Sequence, residues 1–334
     1  MFSDAKQSLR LMQFNVENLF LILDLYKNQD LKKITEQEWR GLTNSITPNK
    51  SIKKVWDLAN IIQDINPDIV MLNEVGGLES LENFNKFFLN SRFKTYLKEG
   101  NSLRGIDVGY LISNTLSSKA LLISHKDRPL NFLYPHEVQT PAGGKSHYFS
   151  RDVAELRLFN PDENSPRLTI LLTHLKSKLD SEKIDPEGKL RRAAEFNSLL
   201  EIYAELRNEL GQKTPILICG DLNGLASREN TEPEFLSLYK NTDLVDVLEI
   251  AGKPLNERYT QIQILSSGKL IPMQIDYIFA SQSLHKLVAK EETFVYRFKD
   301  LDGSNAPAPR SLEERSLFAS DHYPLVLTLN GFFL

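Results

Sequence analysis

Short apolar runs, most of them long enough for one buried strand, alternate along this chain with a few segments whose apolar positions recur at helical spacing. Residues 9–16 read as a strand. Between residues 54 and 65, Val55, Leu58, Ala59, Ile62 and Ile65 fall on one helical face. Asn66-Pro67 ends that helix, because the residue before a proline is pushed out of the α region. Residues 68–72 then form a short buried strand, and Ser80 is expected to cap a helix carrying Leu81, Phe84 and Phe88 on one face. Strands are expected at 106–112, 120–124, 151–159 and 168–173. In the third of these Ala154, Leu156 and Leu158 alternate with Glu155 and Arg157. Residues 189–206 read as a helix with Leu190, Ala193, Leu200, Tyr203 and Leu206 near its buried stripe. Strands at 215–219, 274–279 and 323–329 complete the set.

Polar residues 25–50 read as an insertion, and 125–150 and 299–318 as long loops. Both loops come directly before a strand that carries candidate site residues, a common place for substrate contacts. Gly76-Gly77 and Gly143-Gly144 read as turns. No repeat or low-complexity tract divides the chain, so residues 1–334 are expected to form one α/β domain, a sandwich with more strands than helices.

Composition narrows the function. Hydrophobic residues are 41% and charged residues 25% of the chain, enough for a sizeable core and a soluble surface. No run approaches the ~20 apolar residues of a membrane helix. The first strand begins too early for a leader to precede it, so the expected compartment is cytoplasmic for a complete chain and secreted for one that has lost a leader. One cysteine, Cys219, excludes an intrachain disulfide and reads as a core thiol. Forty basic against 44 acidic residues give a net charge of −4, so no global basic field would hold a polyanion. Local cations or a bound metal would have to do so.

The chemistry gathers at strand ends, where side chains can converge without filling the core. Asn15 follows Phe14, and Asn73 and Glu74 follow Met71-Leu72. His174 follows Leu171-Leu172-Thr173, and Asp221 and Asn223 follow Ile218-Cys219-Gly220. Asp276 stands between Ile275 and Tyr277, and Asp321-His322 opens the last strand. Asn, Asp and Glu are hard oxygen donors suited to Mg²⁺ or Mn²⁺. The chain has no HExxH pattern, cysteine cluster or Walker loop, which excludes the usual zinc and nucleotide signatures.

Seven motifs in order carry a resemblance: NVENLF (15–20), LNEV (72–75), RGIDVGYLI (104–112), THLKSK (173–178), GDLNG (220–224), QIDYIF (274–279) and SDHYPLVL (320–327). Together they resemble the endonuclease/exonuclease/phosphatase superfamily, which includes deoxyribonuclease I, exonuclease III-type enzymes, neutral sphingomyelinases and inositol polyphosphate phosphatases. The resemblance spans nearly the whole chain. It implies a four-layer α/β sandwich of the DNase I-like kind, two central mixed sheets face to face with helices outside. It implies Mg²⁺ or Mn²⁺ held by Glu74, with Asn15 beside it and Asp321 on the metal side. It also implies that Asp221 orients or deprotonates the attacking water and that Asn223 holds a phosphate oxygen. His322, oriented by Asp276, would protonate or stabilise the phosphoryl oxygen. His174 would contact the phosphate or assist the leaving group, and Arg151 would face the scissile phosphate.

Elementary chemistry points the same way. A phosphodiester is anionic and repels hydroxide, so a cation and positive donors must neutralise charge on its oxygens. A carboxylate can activate water, and a histidine beside an aspartate favours its cationic form.

Ordinary structural roles compete with each assignment. Glu74 could be a solvated carboxylate, Asp221 and Asn223 an Asx turn, Asp321-His322 a turn before a strand, His174 a satisfied core histidine. The basic stretch from Lys176 to Arg192 is interleaved with Asp180, Glu182, Asp185 and Glu187 and reads as solvated; Lys176, two residues after His174, is expected to share its face. His125, His136 and His147 read as surface histidines.

The presence of His174, and Glu17-Asn18-Leu19-Phe20 in place of Asn-Gly, disfavour the apurinic-endonuclease branch. The motif wording resembles a bacterial group regarded as nucleases, so the expected activity is metal-dependent hydrolysis of DNA or RNA. Hydrolysis of inositol phosphates or sphingomyelin is the alternative within the superfamily. A catalytically inactive binding protein on the same fold is the alternative outside it.

Overall fold

The computed structural model describes residues 8–138, 146–180 and 183–334. Gly143-Gly144 and Glu182 lie outside them. Twelve strands form two six-stranded sheets. In chain order they are β1 (Ser8–Leu19), β2 (Ile69–Val75), β3 (Phe93–Leu97), β4 (Asp107–Ser113), β5 (Lys119–Ser124) and β6 (Val153–Phe159). β7 (Leu168–His174), β8 (Ile216–Asp221), β9 (Val245–Asp246), β10 (Asp276–Ala280), β11 (Phe294–Val295) and β12 (Leu325–Asn330) follow. One sheet runs β11-β12-β1-β2-β4-β3 and the other β9-β10-β8-β7-β6-β5. Each has a single parallel pair near its centre, β1 with β2 and β7 with β8, and is otherwise antiparallel.

The sheets face one another across an apolar core. Met71 meets the Cys219 thiol there, at 3.3 Å between sulfurs. Tyr110 reaches across and donates its hydroxyl to Ala154 O at 2.7 Å, so a buried polar group is satisfied by the opposite sheet. Cys219 is fully buried, as a core thiol should be. Outside the first sheet lie α1 (Ile52–Ile65) and α2 (Gly77–Phe88), with Val55, Leu58, Ala59 and Ile62 buried against it. Outside the second lies α3 (Lys189–Leu210), which buries Phe196, Leu199, Tyr203 and Leu206 against Ile216, Ile218 and Phe279. The architecture is therefore the four-layer α/β sandwich.

The elements follow the apolar pattern closely, with a few local differences. Ser80 does not cap α2: that helix begins earlier, at Gly77, and Ser80 Oγ instead donates to Gly76 O at 2.7 Å. Leu190 is exposed, because it lies in the first turn of α3 before the helix seats on the sheet. β3, β9 and β11 were not expected: β3 alternates only weakly at the sheet edge, and the other two are two residues long. The polar segment at 25–50 holds one short helix, Glu36–Arg40, pinned by the buried Trp39.

Candidate active site

Strand register assembles the site. β10 and β7 flank β8, so Asp276, Asp221 and His174 stand side by side at three strand ends. On the facing sheet Asn15 pairs with Asn73. Gly220 makes the first row possible. Its φ is +131°, and a Cβ there would lie 1.9 Å from Thr173 O. Only glycine lets β7 and β8 approach this closely.

Asp221 is the hub. Its Oδ2 accepts from Asn15 Nδ2 at 3.0 Å and its Oδ1 from the Asn223 backbone N at 2.8 Å. The same Oδ2 lies 3.5 Å from His174 Nε2 and 3.9 Å from His322 Nε2. Burial, and then the nearby Asp276 charge, push the Asp221 carboxyl up to about 7.

The two histidines are driven apart in charge. Burial disfavours the His322 imidazolium, but Asp276 and Asp321 outweigh it and hold the ring well above its usual range. Its Nδ1 lies 2.6 Å from Asp276 Oδ2, and the Gln261 amide lies 2.9 Å from its Nε2. Burial pushes His174 well below the usual range, with Arg151 and His322 adding to the effect, so this ring is neutral. Within the described residues His174 Nδ1 and Arg151 Nε are buried without a partner. An unmade hydrogen bond in such a place costs about 1–3 kcal/mol, which marks both atoms as candidates for a ligand.

Backbone strain gathers at the rim. Glu17, Asn18, Glu74 and Asn223 all have positive φ without being glycine. The left-handed turn at Glu17-Asn18 interrupts the pairing of β1 with β2 and brings the Asn18 N–H to Glu74 Oε2 at 3.0 Å. Glu17 accepts from Lys50 and Lys54, at 3.3 and 3.0 Å. Asp321 stands at the opening, 3.9 Å from His322 Nε2.

Asn15, His174 and His322 gather around Asp221, Asp276 and Asp321 join through His322, Asn223 links Asp221 to Leu175 O, where Arg151 also rests, and Glu74 joins through the Glu17-Asn18 turn. Asn223 Nδ2 and Arg151 Nη1 both donate to Leu175 O, at 3.0 and 3.1 Å. Lys176 does not share the face of His174. The strand ends at His174, and the Lys176 ammonium turns back to Ser177 O at 3.0 Å. Lys178, Lys189, Arg191 and Arg192 of the basic stretch are in ion pairs with Glu232, Glu187, Glu195 and Glu234. His125 and His147 are partly buried and paired with Glu155 and Glu137, each at 2.8 Å, rather than free on the surface.

Sequence reasoning missed several supports. Gln13 Nε2 donates to Asn73 Oδ1 at 2.8 Å and to Asp276 Oδ1 at 3.0 Å, tying the sheets together. A glutamine inside an apolar strand, two residues before Asn15, was the available signal. Thr260 Oγ1 accepts from the Asp276 N–H at 3.0 Å, and Ser320 Oγ from the His322 N–H at 3.1 Å. Glu195 of α3 is buried, and its two oxygens accept from the Ser150 and Lys176 N–H groups, each at 2.7 Å.

Asp221, Asp276 and His322 offer ligand atoms within 4.8 Å of one another, a buried group that could hold a divalent metal. The His322–Asp276 hydrogen bond already uses one atom of each. The remaining oxygen donors, Glu74, Asn15 and Asp321, have the hard chemistry of a Mg²⁺ or Mn²⁺ site.

The fold is that of a DNase I-like α/β sandwich. The chain belongs to the Endonuclease/Exonuclease/phosphatase family, whose model matches residues 12–322. No curated protein matches it by sequence. Among solved structures, a truncated TDP2 from Caenorhabditis elegans is 18% identical, with 97% of each chain covered and a TM-score of 0.55. A Danio rerio TDP2 complexed with a single-strand DNA product is 14% identical, covering 97% of this chain and 100% of that one, with a TM-score of 0.56. The human Nocturnin catalytic domain with bound sulfate is 16% identical, covering 98% and 95%, with a TM-score of 0.56.

Proposed function

We propose that the protein is a phosphodiesterase of the nuclease type, dependent on Mg²⁺ or Mn²⁺, acting on DNA or RNA. One observation carries the reading. The buried Asp221 carboxyl lies 3.5 Å from His174 Nε2 and 3.9 Å from His322 Nε2, with burial pushing the first ring toward its neutral form and Asp276 pushing the second toward its cationic form. That is an arrangement for moving a proton beside an anion near neutral pH.

Asp221, ionised, takes a proton from water as the water oxygen bonds to phosphorus. The bond from phosphorus to the leaving oxygen breaks, and that oxygen regains a proton from solvent. The His322 imidazolium, oriented by Asp276, stabilises charge on a phosphoryl oxygen. His174 and Arg151 have free donor capacity for the phosphate, and Asn223 sits beside them. Glu74, with Asn15 and Asp321, would hold the cation, which supplies charge neutralisation. The DNA product in the Danio rerio TDP2 structure supports a nucleic-acid substrate for this relative as well.

The test is hydrolysis of bis(p-nitrophenyl) phosphate, single-stranded DNA and RNA with Mg²⁺ or Mn²⁺. Turnover should vanish with chelator and fall at least ~10²-fold in His322→Ala. Absence of turnover with either metal would favour a binding protein. Activity confined to phosphomonoesters or to sphingomyelin would favour the other branches of the family.

A further inference from the structure

One cation at the rim has no part in the chemistry above. Arg104 lies in the loop before β4, is exposed, and donates from Nη2 to Asn18 Oδ1. Asn18 in turn donates its backbone N–H to Glu74 Oε2 at 3.0 Å. Arg104 therefore stands one residue beyond the carboxylate assigned to the cation. Its loop is tied down: the Gly105 N–H donates to Ser102 O at 3.0 Å, and the Ile106 N–H to Ser102 Oγ at 3.3 Å.

The charge is uncompensated. Among the described residues no carboxylate pairs with Arg104, whereas Arg128, Arg157, Arg192 and Arg207 each hold one. Glu17, next in sequence to Asn18, is already bridged by two lysines. Arg104 is near enough to the site to add to the positive field that disfavours charging of His174 and Arg151. A guanidinium anchored by one donor keeps the rest of its planar fork free, which suits a phosphate.

Resting on the phosphodiesterase reading, we propose that Arg104, seated on Asn18, is a specificity residue. It grips a second phosphate of the same substrate, next to the scissile one, and so selects polynucleotides over isolated phosphate esters. Adjacent phosphates also occur in inositol polyphosphates. The exposed position of Arg104, outside the pocket of Arg151 and His174, favours a chain that continues out of the cleft.

The experiment compares TpT, with one phosphodiester, against TpTpT, with two, and against an inositol polyphosphate. Wild type should show kcat/KM about tenfold higher for TpTpT, the worth of roughly one charge-assisted contact. Arg104→Ala should bring that ratio down to about two, the value that two equivalent scissile bonds give without any preference, and Arg104→Lys should fall between. In chelator, Arg104→Ala should weaken binding of a short single-stranded DNA, measured by fluorescence anisotropy, and reduce its log–log salt slope by about 0.7. A TpTpT preference that survives in Arg104→Ala overturns the proposal, as does turnover of inositol polyphosphate with neither nucleotide cleaved. If wild type hydrolyses none of the three substrates, the underlying reading fails, and the anisotropy arm alone decides: equal binding and slope in the two proteins refute the role of Arg104.

Discussion

Asp276 Oδ2 lies 2.6 Å from Nδ1 of His322, a hydrogen bond that joins the second sheet to the segment leading into the last strand of the first. Asp276 is the largest influence keeping His322 protonated against its burial. Asp276→Asn preserves shape and removes that charge. Turnover near pH 7 should fall about 10²-fold. The alkaline limb of the pH–rate profile should also move to lower pH, because the neutral ring forms earlier. An alkaline limb that stays in place would remove His322 from the imidazolium role.

Glu195 shows how a distant helix can govern the site. Its oxygens fix the N–H groups of Ser150 and Lys176, and Leu175 O, next to Lys176, is the resting point of both Arg151 and Asn223. Glu195→Gln sets an amide N–H against one of two backbone N–H groups, so one tie is lost. We expect kcat/KM to drop about tenfold, and the drop to be smaller in an Arg151→Ala background, since residues acting through one another are not additive. Kinetics on the four proteins of that cycle decide the point. Losses that multiply would make Glu195 a purely structural group.

Much of this was legible in the chain, for a physical reason. Strands such as β7 and β8 are buried on both faces and so appear as nearly continuous apolar runs, and the polar residue that ends each run is conspicuous. Asp221 and His174 were visible in that way. Gln13 and Glu195 were not. A lone glutamine in an apolar strand, or a glutamate in a helix, gives no sign of its partners until the opposing sheet and loops are in place. Gln13 depends on Asn73 and Asp276, 60 and 263 residues away. Ser80 misled because a capping side chain and a serine in the first turn look alike in sequence.

Asp152 should make stability depend on pH. Burial pushes its carboxyl up to about 6, from an ordinary value of 3.8. Only one oxygen is engaged, accepting from the His125 N–H at 2.9 Å. Between those two values the folded state binds more protons than the unfolded state, so this residue's contribution falls as pH rises from about 4 to about 6. The loss is roughly 2–4 kcal/mol. Asp152→Asn removes the dependence. The Tm of the variant minus that of wild type should therefore climb across this window and level off above it. A difference that is flat with pH would mean that Asp152 ionises normally in the fold.

Gly220 tests whether strand spacing, rather than residue identity alone, makes the site. A methyl group there would meet Thr173 O at 1.9 Å and Thr173 C at 2.9 Å, from a backbone with φ +131°. Relief requires β7 and β8 to part, and that separates His174 from Asp221. Gly268 is the matched control: its φ is +78°, and nothing lies within 4 Å of an added Cβ. Gly268→Ala carries only the conformational cost, about 1 kcal/mol, and should leave turnover intact. Gly220→Ala should cost upwards of ~3 kcal/mol by urea unfolding, with turnover of the remaining folded protein down at least tenfold. Equal costs in the two variants would mean that β7 and β8 tolerate separation. The alignment of Asp276, Asp221 and His174 would then need another cause.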